Sequence, residues 1–342
     1  MSATPWAFDL SYDEWGAYFA GMGQPSYRAG QVCAWLWKRG VFDPEEMTDL
    51  GKDLRAALAD GADFSPPDIV RDLKSRDGTR KFLLRVRESS LIESALIDQH
   101  GRLTACLSTQ VGCPVGCPFC ATGASGFERN LSAGEIAVQF AVMEKFIGRE
   151  ISSAVFMGMG EPFLNTEQTL RAVRMLNHGK ARGLGIRHIA ISTAGVVPGI
   201  SAFTESGLGA RLAVSLHAAD NDLRNELVPC NTSYPLKDLM ASLKEYQEKT
   251  GDRVTIEYAL FKKKNDSVEH ARELARFLRG LHVYVNLIPC NGSLNGYERS
   301  DAEAVLRFQS VLKSAGFESE IRASHGGDIS AACGQLRAGN EI

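Results

Sequence analysis

The sequence has no run of about 18 apolar residues, so no membrane-spanning helix is expected. Met1–Tyr12 lacks a basic start followed by an apolar stretch, so no secretory signal is expected either. There is no excess of positive charge. The formal net charge is −3, and the molecule as a whole carries no nucleic-acid signature. No low-complexity segment or short-period repeat is present. The eight cysteines do not read as a disulfide framework. Three are clustered, while Cys33, Cys106, Cys230, Cys290 and Cys333 are scattered through 342 residues, as in a protein of the reducing cytoplasm.

What is present allows a large core. Apolar residues make up 44% of the chain, enough for one large α/β domain and a smaller one. Charge is uneven. Seven Lys and Arg but only two Asp fall between Arg71 and Arg87, and Lys262-Lys263-Lys264 forms a second basic run. Either run could contact phosphates or form a solvated face.

Apolar spacing and Gly/Pro breaks predict helices at Tyr12–Gly21, Tyr27–Arg39 and Pro44–Ala59, with Trp35, Leu36 and Trp37 in the core. Ser65-Pro66-Pro67 marks a boundary. Short strands are expected at Lys81–Val86, Leu91–Ile97 and Leu103–Leu107. Further strands are expected at Ile151–Met157, Arg187–Ser192, Ala210–Leu216, Val254–Leu260, Val283–Ile288 and Phe317–Arg322. Helices near Ser132–Ile147, Thr166–Asn177, Leu236–Thr250, Ser267–Arg279 and Ser300–Ala315 alternate with these. Ser132 and Glu135 have capping-box spacing, and Asp301 is placed to open a helix. The alternation implies a parallel sheet. About six units are too few for a closed eight-fold barrel, so an open or partial barrel is expected.

In such a sheet the site gathers at the C-terminal strand ends. Gly158-Met159-Gly160-Glu161-Pro162, Ser192-Thr193, Ser215-Leu216-His217 and Pro289-Cys290-Asn291 all fall there. Each alone has a plain reading as a tight turn or helix cap; together they point to a binding site. Before them stands Gly112-Cys113-Pro114-Val115-Gly116-Cys117-Pro118-Phe119-Cys120, a C-x3-C-x2-C loop. Three thiolates on one short loop can hold three irons of a 4Fe-4S cube and leave the fourth open to a small molecule. A zinc knuckle needs a fourth ligand, and no His or Cys lies close by.

The loop, the Gly-Glu-Pro turn and the barrel pattern resemble the radical S-adenosylmethionine (SAM) enzymes. Thr109–Cys113, Phe156–Pro162, Ile191–Pro198, Ser215–Ala218, Asn286–Pro289 and Asp328–Leu336 together resemble the RlmN/Cfr family of radical SAM RNA adenine methyltransferases. The likeness extends to Tyr27–Val32 and Glu46–Asp49. It implies an α/β fold: a partial (β/α)6 radical SAM barrel over 99–342, a β-rich connecting segment over 67–98 and a small helical, RNA-binding accessory domain over 1–66. It also implies a 4Fe-4S cluster on Cys113, Cys117 and Cys120. SAM would lie against Gly160, Glu161, Ser192, Ser215, Leu216, His217 and Asn291.

The resemblance implies a specific chemistry. Adenine C2 lies between two nitrogens and is not nucleophilic, so it cannot attack a SAM methyl group. In the family Cys333 takes a methyl from one SAM. A radical made from a second SAM activates that methyl, which then joins the RNA. A base removes the C2 proton, and Cys106 attacks the Cys333 sulfur, leaving a disulfide. Glu93, the carboxylate in Leu91–Ile97, is the expected base, its pKa raised by burial; a surface-facing Glu fits the same alternation. The implied substrates are 23S rRNA (adenine 2503) and tRNA (adenine 37). A flavodoxin-type electron donor and a monomeric chain are also implied.

Three other readings remain open at this level: C8 methylation of the same rRNA adenosine, as in Cfr, a non-catalytic RNA-binding iron–sulfur protein, and a radical SAM enzyme of a small molecule. Glu161-Pro162 fits the RlmN branch, whereas Cfr relatives have Ala after the Glu. Arg322–Asp328 and the loop Asn291–Gly296 depart from the family pattern, which bears on substrate choice. Cys33, Cys230 and Cys290 receive no role.

Overall fold

Ser11 opens the first helix with a reciprocal cap: its hydroxyl accepts from the Glu14 amide, and the Glu14 carboxylate accepts from the Ser11 amide. Helix α1 (Tyr12–Gly21) packs on α2 (Arg28–Trp37). The chain is described by a computed structural model covering residues 4–99, 101–291 and 295–337. The helix expected over Pro44–Ala59 does not form as one piece. Asp43 caps a 3-10 turn at Pro44–Glu46, and α3 begins only at Lys52–Gly61. Asp49 lies in the interval, where its side chain accepts from Trp35 Nε1 at 2.6 Å and its carbonyl from Gln31. Trp35 is therefore only partly buried, with Arg39 over its ring, while Leu36 and Trp37 are core residues as expected.

Strands β1 (Asp68–Lys74), β2 (Arg80–Arg85), β3 (Leu91–Gln99) and β4 (Arg102–Cys106) form an antiparallel meander. β1 has no counterpart in the sequence reading, because four of its seven residues are charged. β5 (Gln110–Gly112) and β6 (Phe127–Asn130) pair as a separate ribbon. Between them lie the cysteine loop and the short helix α4 (Ala121–Ala124).

Helices and strands then alternate: α5 (Ala133–Ile147), β7 (Ser153–Phe156), α6 (Thr166–Asn177), β8 (Ile189–Thr193), α7 (Val197–Glu205) and β9 (Arg211–Ser215). After these come α8 (Asn221–Leu227), α9 (Leu236–Thr250), β10 (Val254–Leu260), α10 (Val268–Phe277), β11 (Val283–Pro289), α11 (Ala302–Ser314) and β12 (Ser319–Ile321). α7 and α8 were not anticipated: one carries Pro198 in its first turn, and the other is short. The main sheet runs β1-β2-β3-β4-β7-β8-β9-β10-β11-β12 and is open at both ends. From β4 onward all neighbours are parallel, so the open parallel barrel expected is the one formed, with β4 as an added first strand.

α5 is buried on every face from Ala133 to Met143. It lies between the sheet and the N-terminal segment, and Trp6, Phe8 and Trp15 share one hydrophobic core with the barrel. The expected capping box at Ser132 is present: Ser132 Oγ accepts from the Glu135 amide at 3.1 Å, and Glu135 accepts from the Ser132 amide at 2.9 Å. A Ser132→Ala substitution is expected to lower stability by about 1 kcal/mol. The measurement is a reduced urea midpoint at an unchanged m-value. Asp301 stands at the start of α11, but its carboxylate pairs with Lys262 rather than capping the helix.

Candidate active site

The loops after β7, β8, β9 and β11 leave the sheet at the same edge. Gly160, Glu161, Ser192, Ser215, His217 and Asn291 line one cavity of about 190 Å³ together with Cys113, Cys117 and Cys120. A second cavity of about 110 Å³ adjoins it, lined by Ala95, Ile97, Cys106, Thr122 and Cys333 among others. Cys120, Met157, Gly158, Asn291, Arg322 and Cys333 border both.

The cysteine loop is fixed at both ends. The Cys113 amide donates to the Gly126 carbonyl at 2.8 Å, and Asn295 Nδ2 donates to the Pro118 carbonyl at 2.7 Å. Gly112 has φ +74°, and a Cβ there would fall 2.0 Å from the Gly126 oxygen, so only glycine fits. Burial pushes the Cys113 thiol up to about 12 and the Cys117 thiol well above its ordinary range. Such thiols ionise only against a cationic partner. Among the described residues no three His, Cys, Asp or Glu side chains converge as a site for one metal ion. Cys113, Cys117 and Cys120 stand on one short loop and line one cavity, and three such thiols suit an iron–sulfur cluster, in which each thiolate takes a separate iron.

Glu161 is buried, and that burial pushes its carboxyl group up. It accepts from Thr193 Oγ1 at 2.7 Å, the Ala194 amide at 2.7 Å and the Phe163 amide at 3.0 Å. Its own amide donates to Gln110 Oε1. Gly160 has φ +101°, and a Cβ there would lie 2.7 Å from the Gln110 side chain. The buried His217 is pushed down to about 3, first by desolvation and then by the Arg224 charge, so it is neutral at physiological pH. Its Nδ1 accepts from the Ala259 amide at 2.9 Å, which leaves the proton on Nε2. The Ser192 and Ser215 hydroxyls lie 3.4 Å apart. The Leu216 side chain belongs to the core and lines neither cavity; its amide donates to the Glu257 carbonyl, and its own carbonyl accepts from Arg224. Asn291 Oδ1 is buried and has no hydrogen-bond partner among the described residues.

Cys106 ends β4 in register with Ala95 and Val155. Burial, then the nearby Cys333, push its thiol up to about 12. Cys333 is exposed, and both sulfurs are free thiols. The turn that carries Cys333 is held by bonds from the Ala121 amide to the Gly334 carbonyl and from Thr122 Oγ1 to the Leu336 carbonyl. Glu93 is buried as expected, but its surroundings are not apolar. Lys81 Nζ lies 2.9 Å from its carboxylate, and the Arg337 amide donates to it at 2.7 Å. Glu93 lines neither cavity.

Some residues at the site were missed from sequence. Gln110 lies inside the Thr109–Cys113 stretch and could have been read from its position beside the loop. Arg322, beside Cys106 and Cys333, directly follows the last strand. Arg224 and Glu257 gave no local signal.

The basic run divides in the fold. Arg80, Lys81 and Arg87 are spent on Asp72, Glu93 and Asp9. Lys74, Arg76 and Arg85 are exposed and form no ion pair among the described residues. The β1–β2 turn also touches the Cys333 loop: Ser75 Oγ donates to Asp328 at 2.5 Å, and the Gly326 amide donates to Asp77 at 2.9 Å. Lys262 and Lys264 pair with Asp301 and Glu226.

A three-cysteine loop at the open end of a partial parallel barrel, with a glycine-rich turn after β7, defines a radical SAM enzyme. Residues 107–278 match the Radical SAM superfamily, and residues 7–63 match the ribosomal RNA large subunit methyltransferase N-terminal domain. The probable dual-specificity RNA methyltransferase RlmN of Thermotoga neapolitana is 46% identical over 338 residues, 98% of each chain. The protein of the same name from Dictyoglomus thermophilum is 43% identical over 336 residues, 97% of this chain and 96% of that one. The crystal structure of a radical SAM methyltransferase from Sphaerobacter thermophilus matches with a TM-score of 0.93 at 43% identity, covering 97% of this chain and 99% of that one. The chain belongs to the RlmN family of radical SAM RNA methyltransferases, whose cofactors are a 4Fe-4S cluster and SAM. Among the described residues no helix is long and apolar enough to cross a membrane.

Proposed function

We propose that this enzyme methylates C2 of adenosine, at adenine 2503 of 23S rRNA and adenine 37 of tRNA, through a methyl group carried on Cys333. The observation that carries this reading is the place of Cys333. Its turn borders both cavities, with the loop cysteines lining one and Cys106 the other. Cys113, Cys117 and Cys120 are the residues that would hold the cluster. Gly160, Glu161, Ser192, Ser215, Leu216, His217 and Asn291 would hold SAM. Glu161 already accepts three hydrogen bonds, and a carboxylate has about four acceptor positions, so one is free for an ammonium group. His217 offers Nε2–H, Leu216 only its backbone, and Asn291 the acceptor Oδ1.

When bound, cluster and SAM supply a methyl group and a 5′-deoxyadenosyl radical. The Cys333 sulfur takes the methyl by displacement; that methyl gives one hydrogen atom to the 5′-deoxyadenosyl radical, its carbon bonds to adenine C2, and the adduct's unpaired electron would return to the redox chain that supplied it. Glu93 takes the C2 proton. The Cys106 thiolate then attacks the Cys333 sulfur: the S–S bond forms as the bond from that sulfur to the methyl-derived carbon breaks, and the carbon leaves with the RNA and takes up a proton to become the product methyl. Exposed Lys74 and Arg76, on the hairpin that touches the Cys333 loop, would bind RNA phosphates beside the exposed thiol. The division 1–66, 67–98 and 99–342, a flavodoxin-type electron donor, a monomeric state and the cytoplasm complete the proposal.

The test is nucleotide mass spectrometry of 23S rRNA and tRNA from cells with and without the gene. The expected result is 2-methyladenosine that depends on the gene; an 8-methyl product, or unchanged RNA, sinks the reading. The buried Cys106 thiol also sets a pH dependence. Below a pKa of about 12, each pH unit raises the thiolate fraction about tenfold. Release of product from a preformed RNA adduct is expected to quicken about tenfold between pH 7 and pH 8 in rapid-quench assays. A flat profile would place another step before release.

A further inference from the structure

Arg224 is a fully buried cation without an anion. Among the described residues it makes no ion pair with a carboxylate, and its three hydrogen bonds go to neutral oxygens. Nε donates to the Leu216 carbonyl at 3.1 Å, Nη1 to Asn231 Oδ1 at 2.6 Å and Nη2 to the Ala194 carbonyl at 2.6 Å. Neutral acceptors satisfy the geometry of a guanidinium but not its charge, and a buried charge normally has a partner of opposite sign.

Its position indicates where that partner comes from. Ala194 packs in one apolar cluster with Cys113, Cys117 and Cys230. The Ala194 residue is gripped on both sides, its N–H by Glu161 and its C=O by Arg224. The guanidinium therefore lies one residue behind the cavity wall and within electrostatic range of Cys117. The nearest ionisable groups do not pair with it: among the described residues Glu161, Cys230 and His217 make no hydrogen bond or ion pair to the guanidinium, whose donors go to Leu216, Asn231 and Ala194. An oxidised 4Fe-4S core on three thiolates is an anion, and reduction adds a second negative charge. A fixed cation in a low-dielectric wall favours the more negative state.

We propose that Arg224 is the built-in counter-charge of the iron–sulfur site, a positioning residue that fixes the loops after β8 and β9 and raises the cluster's reduction potential. This rests on the reading that Cys113, Cys117 and Cys120 hold the cluster. The two functions of the side chain separate by substitution. Arg224→Lys keeps the charge but loses the fork, whereas Arg224→Gln keeps hydrogen bonding but loses the charge.

The experiment is a redox titration of the full-length, cluster-loaded protein, followed by electron paramagnetic resonance without SAM or RNA. For Arg224→Gln the ratio of reduced to oxidised cluster at a fixed potential is expected to fall roughly tenfold, about 59 mV for one electron. Arg224→Lys is expected to stay within about twofold of wild type while binding SAM more weakly. A wild-type potential in Arg224→Gln, or an equal shift in Arg224→Lys, overturns the proposal. If Arg224→Gln does not fold, Arg224→Lys decides: an unshifted potential supports the counter-charge, and a shifted potential or loss of folding overturns it. A triple Cys113→Ala, Cys117→Ala, Cys120→Ala variant separates the two readings. Cluster retained there overturns the ligand assignment and this proposal with it. Cluster lost there, with Arg224→Gln at the wild-type potential, overturns the role of Arg224 alone.

Discussion

Replacing Cys106 by alanine is expected to leave RNA covalently joined to the protein. In the proposed sequence Cys106 acts last, after the carbon on Cys333 has bonded to adenine. Removing its sulfur leaves every earlier step possible and blocks only release. Cys106 lines the cavity that Cys333 borders, and Cys106 is the second thiol that the proposed release requires. Product formation is expected to fall by about three orders of magnitude, while adduct approaches one RNA per protein. A denaturing gel with labelled RNA measures this, since a covalent adduct survives denaturation and a complex does not. Cys333→Ala is expected to give neither adduct nor product but still to form 5′-deoxyadenosine. Full product without adduct in Cys106→Ala would remove Cys106 from the mechanism. The exchange also has a control in stability. Cys106 is a small buried side chain, so losing its sulfur is expected to cost no more than about 1–2 kcal/mol, and loss of product would not be loss of folding.

The parts of this fold that were legible from sequence are those set by local rules. Thr166–Asn177 and Leu236–Thr250 form helices with the expected bounds, because apolar spacing and the flanking Pro235 and Gly251 all agree. Ser132 caps as its spacing implies. The failures share another cause. β1 is made by pairing with β2, so its charged residues gave no strand signal. Pro44–Ala59 has helical spacing, but Trp35 and Gln31, from a different helix, claim Asp49. The site follows the same division. The cysteine loop and the glycine-rich turn are contiguous motifs and could be read directly. The environment of Glu93 could not, because Lys81 reads as part of a basic surface run and Arg337 is 244 residues away. Arg224 is the extreme case: a charged residue in a short polar helix whose burial is decided by two loops from other strands.

Glu93→Gln is expected to lower methyl transfer to RNA by about 10²–10⁴-fold, the range for losing a positioned general base. The substitution is nearly isosteric, but Lys81 Nζ and the Arg337 amide meet different carboxylate oxygens, and the single oxygen of Gln can serve only one of them. It removes the negative charge and the ability to take a proton. Methylation of Cys333 and formation of 5′-deoxyadenosine precede the proton transfer, so both are expected to persist, as read by intact-protein mass spectrometry and by chromatography. Lys81 complicates the expectation in a testable way. The Lys81 ammonium lies 2.9 Å from the carboxylate, so the pair must loosen before the carboxylate can reach the C2 proton. Lys81→Met would leave the Glu93 carboxylate buried without its cation, which costs about 3–5 kcal/mol. Either substitution leaves one buried charge without its partner and is expected to lower the melting temperature, but only Glu93→Gln is expected to abolish product while Cys333 is still methylated. If the purpose of the pair were purely structural, Glu93→Gln would melt early yet turn over normally at low temperature. Measuring both variants for melting temperature and single-turnover product decides between a base and a strut, since a strut cannot abolish product while Cys333 is still methylated.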